Sequence, residues 1–377
     1  MEKPYSQYCK ARRETFAQKL QEMHISAAVF EDTEDRRDSS IRYFTGHPGD
    51  AILVITAKGE SMLCPWDENI ANSMADVEKI LPFTKFSRNS IKALATMLRK
   101  LHVPEGSRID IPPYMPYPTF LHYVDELQSY NILCREKSSH EVAVKMRGIK
   151  DKYEVKCIQE AAKVTDQLIN LLEEGIKNGT IKTEADAALL IERESRLAGC
   201  EGTGFNTLAA GSNRSFGIHC FPPYTAAPIA QEGLSIIDFG VVKDGYTSDV
   251  TLTFAAGKLS ATQEKQLDLV QNAYNSALEF YQSGIPIKMA AAKADAVFEK
   301  AKCSMPHSLG HGIGLEAHEF PIIKQSIPQE IAFLPGMVVT LEPGLYNPLC
   351  GGCRLENDIL ITENGQEVLT HSRIIRL

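Results

Sequence analysis

Late in this chain four acids interrupt apolar, strand-length runs: Asp238 in SIIDFG, Asp249 in SDVTLTF, Glu342 in TLEPGLY and Glu356 in CRLENDILIT. A carboxylate buried in such a run is costly unless something positive compensates it. The fold must therefore gather these acids around cations or leave each one at a solvated strand end. One imidazole, His311, falls among them in chain order, giving the series D-D-H-E-E. Four carboxylates cancel the charge of two divalent cations. Two adjacent metals can generate hydroxide near neutral pH and hold a carbonyl for attack.

Asp238 and Asp249 flank the turn-forming run Lys243-Asp244-Gly245. A hairpin folded there puts the two aspartates directly opposite each other on one face, with Cβ atoms about 4.5–5.5 Å apart. Bare carboxylates that close repel, and a cation between them resolves the conflict. The alternative is that both are solvated acids near a turn, against which their apolar flanks weigh. His307, His311 and His318 fall in HSLGHGIGLEAHE, three of only ten histidines in the chain. Gly310, Gly312 and Gly314 argue against a helix there and for a strand or loop packed closely on a neighbour. In CRLEND, Arg354 shares the face of Glu356 by strand alternation.

At 377 residues the chain exceeds one ordinary core and predicts two or three domains. Helical spacing over 8–24 is followed by a strand at 27–30, and IRYFTG, DAILVITA and ESMLCPW read as further strands. A second helical pattern spans 89–101. This alternation predicts an N-terminal α/β domain, residues 1–140, ahead of a second domain at 141–377. There the clearest helix runs from Lys150 to Lys177, with Ile158, Ala162, Thr165, Ile169 and Leu172 on one face and Gly179 as its stop. Thr183 is placed to cap another helix reaching Leu197, and a helical pair is read at 262–283 and 287–302. The segment GLSIIDFG is echoed by GMVVTLEPG, which suggests two related halves, each aiming one acid inward.

The net charge of −8 argues against a nucleic-acid partner. The apolar runs fall short of a membrane span, and MEKPYSQYCKARRETF lacks the apolar core of a secretory leader. Nine scattered cysteines suit free thiols in a reducing cytoplasm. Cys350 and Cys353 have redox or zinc-ligand spacing but no second such pair, so a structural or incidental role is expected. Oxidation there is a route by which Arg354 and Glu356 would be disturbed.

These motifs resemble those of the creatinase, prolidase and methionine-aminopeptidase family, the pita-bread metallopeptidases, and most of all its Xaa-Pro peptidases. IRYFTGHPGDAILVIT is similar to the family's creatinase-like N-terminal domain, and MRGIKDKYEVKCIQEA to the helix opening its catalytic domain. The resemblance implies an α/β (α+β) architecture, with a pita-bread catalytic domain of pseudo-symmetric halves at 141–377. It assigns metal binding to Asp238, Asp249, His311, Glu342 and Glu356. It casts His307, His318, Arg354 and His219 (in GIHCFPP) as catalytic or substrate-contacting groups. Two departures stand out: Leu252 stands where the family often has arginine, and a proline-rich insert separates His219 from Asp238.

The oxygen-rich ligand set favours two hard divalent ions, manganese first, with cobalt or zinc able to substitute. Glu342 is the candidate to take a proton from water and pass it to the leaving nitrogen. The expected reaction is hydrolysis of the Xaa-Pro bond in peptides with proline in second position. Action at the N-terminus of peptides is placed first and a strict dipeptidase second. A methionine aminopeptidase is disfavoured by the extra N-terminal domain, and a creatinase by the intact ligand set. A non-catalytic binding module on the same fold is the remaining alternative, disfavoured because such relatives usually lose ligands. The resemblance also implies a homodimer or larger assembly.

Overall fold

Why one stretch becomes helix and its neighbour strand is visible at the caps. The computed structural model describes residues 3–377 and falls into two compact units, divided between Arg147 and Gly148. The sequence boundary at 140/141 cuts into the helix Ser139–Arg147, which lies in the first unit. That helix is anchored there: the Ser139 N–H donates to Asp110 at 2.8 Å, and the His140 ring packs 4.6 Å from Phe30.

The first unit is built on six strands, in spatial order Lys79–Ile80, Ser61–Pro65, Ala51–Thr56, Ala27–Asp32, Arg108–Asp110 and Asn131–Leu133. The central strand Ala27–Asp32 is buried along its whole length, its apolar start AAVF in the core and its two closing acids, Glu31 and Asp32, paired with Arg36 and Arg37. IRYFTG, expected as a strand, is instead the short helix Ser40–Thr45, ended by Gly46 at φ 74°. Periodicity cannot distinguish the two in so short a run, five of whose residues are buried. Its Phe44 closes an aromatic cluster with Phe16 and Phe30 at centroid distances of 4.9 and 5.3 Å.

The second unit repeats one plan twice, two helices followed by a mostly antiparallel sheet. Helix Lys152–Lys177 starts at Asp151, whose side chain accepts from Tyr153 and Glu154 while Glu154 reaches back to the Asp151 N–H. The same reciprocal cap recurs at Thr183/Asp186 and Ser260/Gln263, opening Glu184–Leu197 and Ala261–Leu278. Such a cap is worth about 0.5–2 kcal/mol. The first helix ends before Gly179, at φ 75°. Its predicted apolar face, including Ile158, Ile169 and Leu172, is buried.

This first helical pair covers a sheet ordered Ile374–Arg376, Val250–Ala256, Gly233–Phe239, Leu208–Ala210. Helices Ala261–Leu278 and Ile287–Lys300 cover the second, ordered Glu319–Ile323, Gly310–Gly312, Val338–Leu341, Asn357–Thr362, Gly365–Val368. The echoed segments are thus both interior strands of their sheets. A single bridge, Thr251 to Glu356, links the two halves at the level of the acids. None of the nine cysteines is joined in a disulfide. Cys353 is buried in the core, with its thiol pushed up to about 12 by burial, while Cys350 lies in the turn beside it. Among the described residues no helix is long and apolar enough to cross a membrane.

Candidate metal centre

The turn between the two aspartates is a two-residue loop, Asp244 at φ 50° and Gly245 at φ 89°, which closes Lys243 onto Tyr246. That register pairs Asp238 with Thr251 rather than with Asp249. The two aspartates are therefore diagonal neighbours on one face, not directly opposed, which corrects the sequence expectation. The wider spacing leaves room for a cation while keeping both acids on the same side.

His311 lies in the strand Gly310–Gly312, threaded between two others. A Cβ on Gly310 would sit 2.1 Å from the Thr340 carbonyl oxygen, and one on Gly312 2.3 Å from that of Phe320. Only glycine permits this approach, which sets the depth of the imidazole. Nδ1 of His311 donates to the Gly312 carbonyl at 3.1 Å, so the Nε2 lone pair faces the acids. It stands 3.4 Å from Glu342 Oε1 and 3.8 Å from Asp249 Oδ2. Ligand atoms of Asp249, His311 and Glu356 all lie within 4.8 Å of one another.

Asp238 and Glu342 complete the ring. Arg354 donates from Nη2 to Asp238 Oδ2 at 2.5 Å and from Nε to Thr251 Oγ1 at 2.8 Å. Thr251 in turn donates to Glu356 Oε2 at 2.7 Å. The other Asp238 oxygen, Oδ1, is buried with no hydrogen-bond partner. A buried carboxylate oxygen without a donor is where a cation belongs.

The electrostatics agree. Burial, then the Glu356, Asp238, Asp358 and Glu342 carboxylates, drive Asp249 well above the usual carboxylate range. Burial followed by Glu356 does the same to Glu342. Burial and Asp238 lift Glu356 to about 8, against the opposing pull of Arg354. The histidines move the other way, His311 and His307 each falling to about 4 through burial, which keeps the imidazoles neutral. Acids that resist ionising alone, beside a neutral imidazole and an orphaned oxygen, fit divalent metal ions.

Around this ring stand the other expected residues. His307 accepts at Nε2 from the Tyr346 hydroxyl at 3.0 Å, and Tyr346 accepts from Arg354 Nη1 at 2.7 Å. The His318 ring packs 4.1 Å from that of His311. His219 is exposed, but it acts electrostatically on His307 and His318, and the neighbouring Ile218 carbonyl accepts from Arg354 Nη1 at 3.3 Å. Leu252, at the position of the family's arginine, is buried in the core.

Sequence reasoning missed Asp358, which is fully buried and whose Oδ2 accepts from the Asp249 backbone N–H at 3.0 Å. Its signal was present, since it lies two residues beyond Glu356 on the same strand face. Tyr346 was missed as well, and nothing in TLEPGLY separates it from a core aromatic.

Comparison with known proteins agrees with this geometry. Residues 156–363 match the profile of metallopeptidase family M24, and residues 12–147 match the creatinase/prolidase N-terminal domain. An Xaa-Pro dipeptidase of Pyrococcus horikoshii is 31% identical over 84% of this chain and 86% of its own length. The crystal structure of a prolidase from Pyrococcus horikoshii superposes with a TM-score of 0.81 at 26% identity, covering 97% of this chain and 99% of that one. An X-Pro aminopeptidase from Thermotoga maritima shares the fold, with a TM-score of 0.83 at 24% identity over 97% of this chain and 99% of its own. The chain is therefore a metallopeptidase of family M24, with a creatinase/prolidase N-terminal domain ahead of a pita-bread catalytic domain.

Proposed function

We propose that this enzyme hydrolyses the Xaa-Pro bond of dipeptides, with two divalent ions, manganese first, held by Asp238, Asp249, His311, Glu342 and Glu356. The observation that carries the chemistry is the convergence of Asp249, His311 and Glu356 ligand atoms within 4.8 Å, walled by carboxylates. The substrate follows from the likeness to an Xaa-Pro dipeptidase. The sequence alone places action at the N-terminus of longer peptides first. The likeness to an X-Pro aminopeptidase supports the architecture alone, so the dipeptide reading now leads.

An Xaa-Pro bond is a tertiary amide with no N–H for a peptidase to grip. Bound divalent ions supply Lewis acidity and an activated water without needing that handle. Glu342 Oε2 takes the water's proton and passes it to the departing prolyl nitrogen, which must leave as a neutral amine. His307 and His318 steady the oxyanion and hold the proline side. Arg354 fixes the orientation of Asp238, and His219 contacts substrate at the rim. The family resemblance supports a homodimer, and nine cysteines outside any disulfide support a reducing cytoplasm.

Metal analysis of the purified enzyme, with Ala-Pro, Ala-Pro-Ala and Ala-Ala as substrates, tests the proposal. Rapid cleavage of Ala-Pro alone is expected. Faster cleavage of the tripeptide would turn the assignment to an aminopeptidase, and cleavage of neither would end it.

A further inference from the structure

We propose that Lys150 is a positioning residue, which acts through Glu319 to fix the loop that holds His318 against the ring of His311. The inference rests on the peptidase reading above, since it gives Lys150 a part in that site's geometry.

Lys150 immediately precedes the cap of the first catalytic-domain helix, and its backbone N–H donates to the Gly336 carbonyl at 2.8 Å. Its ammonium meets Glu319 Oε2 at 3.1 Å, with the two side chains 0% and 2% exposed. The other oxygen, Oε1, accepts from the Leu315 and Glu316 N–H groups at 3.1 and 3.3 Å. The Gly314 carbonyl accepts from the Thr247 N–H at 2.8 Å, tying the loop to the other half of the domain. A Cβ on Gly314 would lie 2.6 Å from Glu319 Oε2, so the loop closes tightly around this carboxylate.

His318 is the residue next to Glu319, and its ring lies at 39° to that of His311. Hydrophobic replacement of a fully buried ion pair often leaves a protein as stable or more so. An apolar pair would offer no acceptor to Leu315 and Glu316. What the ion pair adds is direction: it aims the acceptor that shapes the turn before His318.

Lys150→Met alone leaves a bare buried carboxylate and threatens the fold. The informative variant is therefore K150M/E319Q, which is neutral and keeps an amide oxygen for the two N–H groups. In it, kcat on Ala-Pro is expected to fall about 10–100-fold, with KM within about twofold and metal content unchanged. Built on His318→Ala and measured at high enzyme concentration, the same pair of changes should alter kcat less than about twofold, since coupled residues are not additive.

The Cε1–H resonance of His318, assigned by its absence in H318A and recorded on the zinc-loaded full chain, should shift or broaden in K150M/E319Q. An unchanged resonance, wild-type kcat, or an equal fractional loss in the H318A background would each overturn the proposal. If the unaltered enzyme cleaves no Xaa-Pro dipeptide, the function fails, while the resonance still tests the tether.

Discussion

Two buried charged groups of the catalytic domain are neutralised in different ways. Lys150 and Glu319 form a closed account of one cation and one anion at 3.1 Å, with backbone donors on the remaining oxygen. Around His311, five carboxylates (Asp238, Asp249, Glu342, Glu356 and Asp358) meet one guanidinium, that of Arg354. The first group is complete in the polypeptide. The second is not, and its acids are pushed upward by burial and by one another. Two routes thus lead to a tolerable buried acid, an internal partner or a borrowed cation, and only the second leaves positive charge free for chemistry.

The contrast is broken most severely by Asp249→Asn. Losing an outer partner of a metal ligand costs about 10–100-fold, so losing a ligand should cost more than about 10³-fold in kcat/KM. In the same variant the metal-free fold should melt higher than the metal-free parent, because one repelling acid is gone. Unimpaired turnover in metal-replete buffer would remove Asp249 from the ligand set.

Exhaustive chelation should separate the two groups next. Ions present at about 1,000-fold over their dissociation constant stabilise by about 4 kcal/mol, which chelation would remove. The folded metal-free protein binds a proton on Glu356 up to about pH 8, whereas the unfolded chain releases it near 4.3. Melting of the chelated enzyme should therefore fall as pH rises through that window and level off above it. The metal-loaded enzyme should lack this decline, and scanning fluorimetry at several pH values reads both.

Lys150→Met attacks the self-contained pair and should cost about 3–5 kcal/mol, measured by denaturant unfolding of the metal-loaded enzyme. If it costs as little as a surface change, the pair is not the neutral unit described. Asp358→Asn keeps an acceptor for the Asp249 N–H while removing one repelling charge. An effect of about 10–100-fold on metal affinity is expected, read by competition with a chromogenic chelator. Smallest of all, Cys350→Ser in its turn should stay within about 0.5 kcal/mol and leave activity unchanged.

Much of the centre could be read from the sequence because an acid within an apolar run has no cheap explanation. Asp249 and Glu356 stand out for that reason and His311 for its place in a cluster of three histidines, and the fold brings their ligand atoms together. The hairpin register was harder. The turn was centred a residue early, and Asp244-Gly245, which tolerate the left-handed conformation, set it instead. IRYFTG misled because six residues, mostly apolar, are too few to show a period. Lys150 and Glu319 stayed hidden for another reason, being 169 residues apart and joined only by tertiary packing.

The bridge between Thr251 and Glu356 has a consequence for how the enzyme is made. Asp238 and Asp249 leave the ribosome well before His311, Glu342 and Glu356, so a growing chain displays half a cage with no lid. The Glu356 strand must dock beside Thr251 before the set closes. On the proposed ligand set, all five side chains converge only once both sheets have met, so a cation would find its complete cage only in the folded domain.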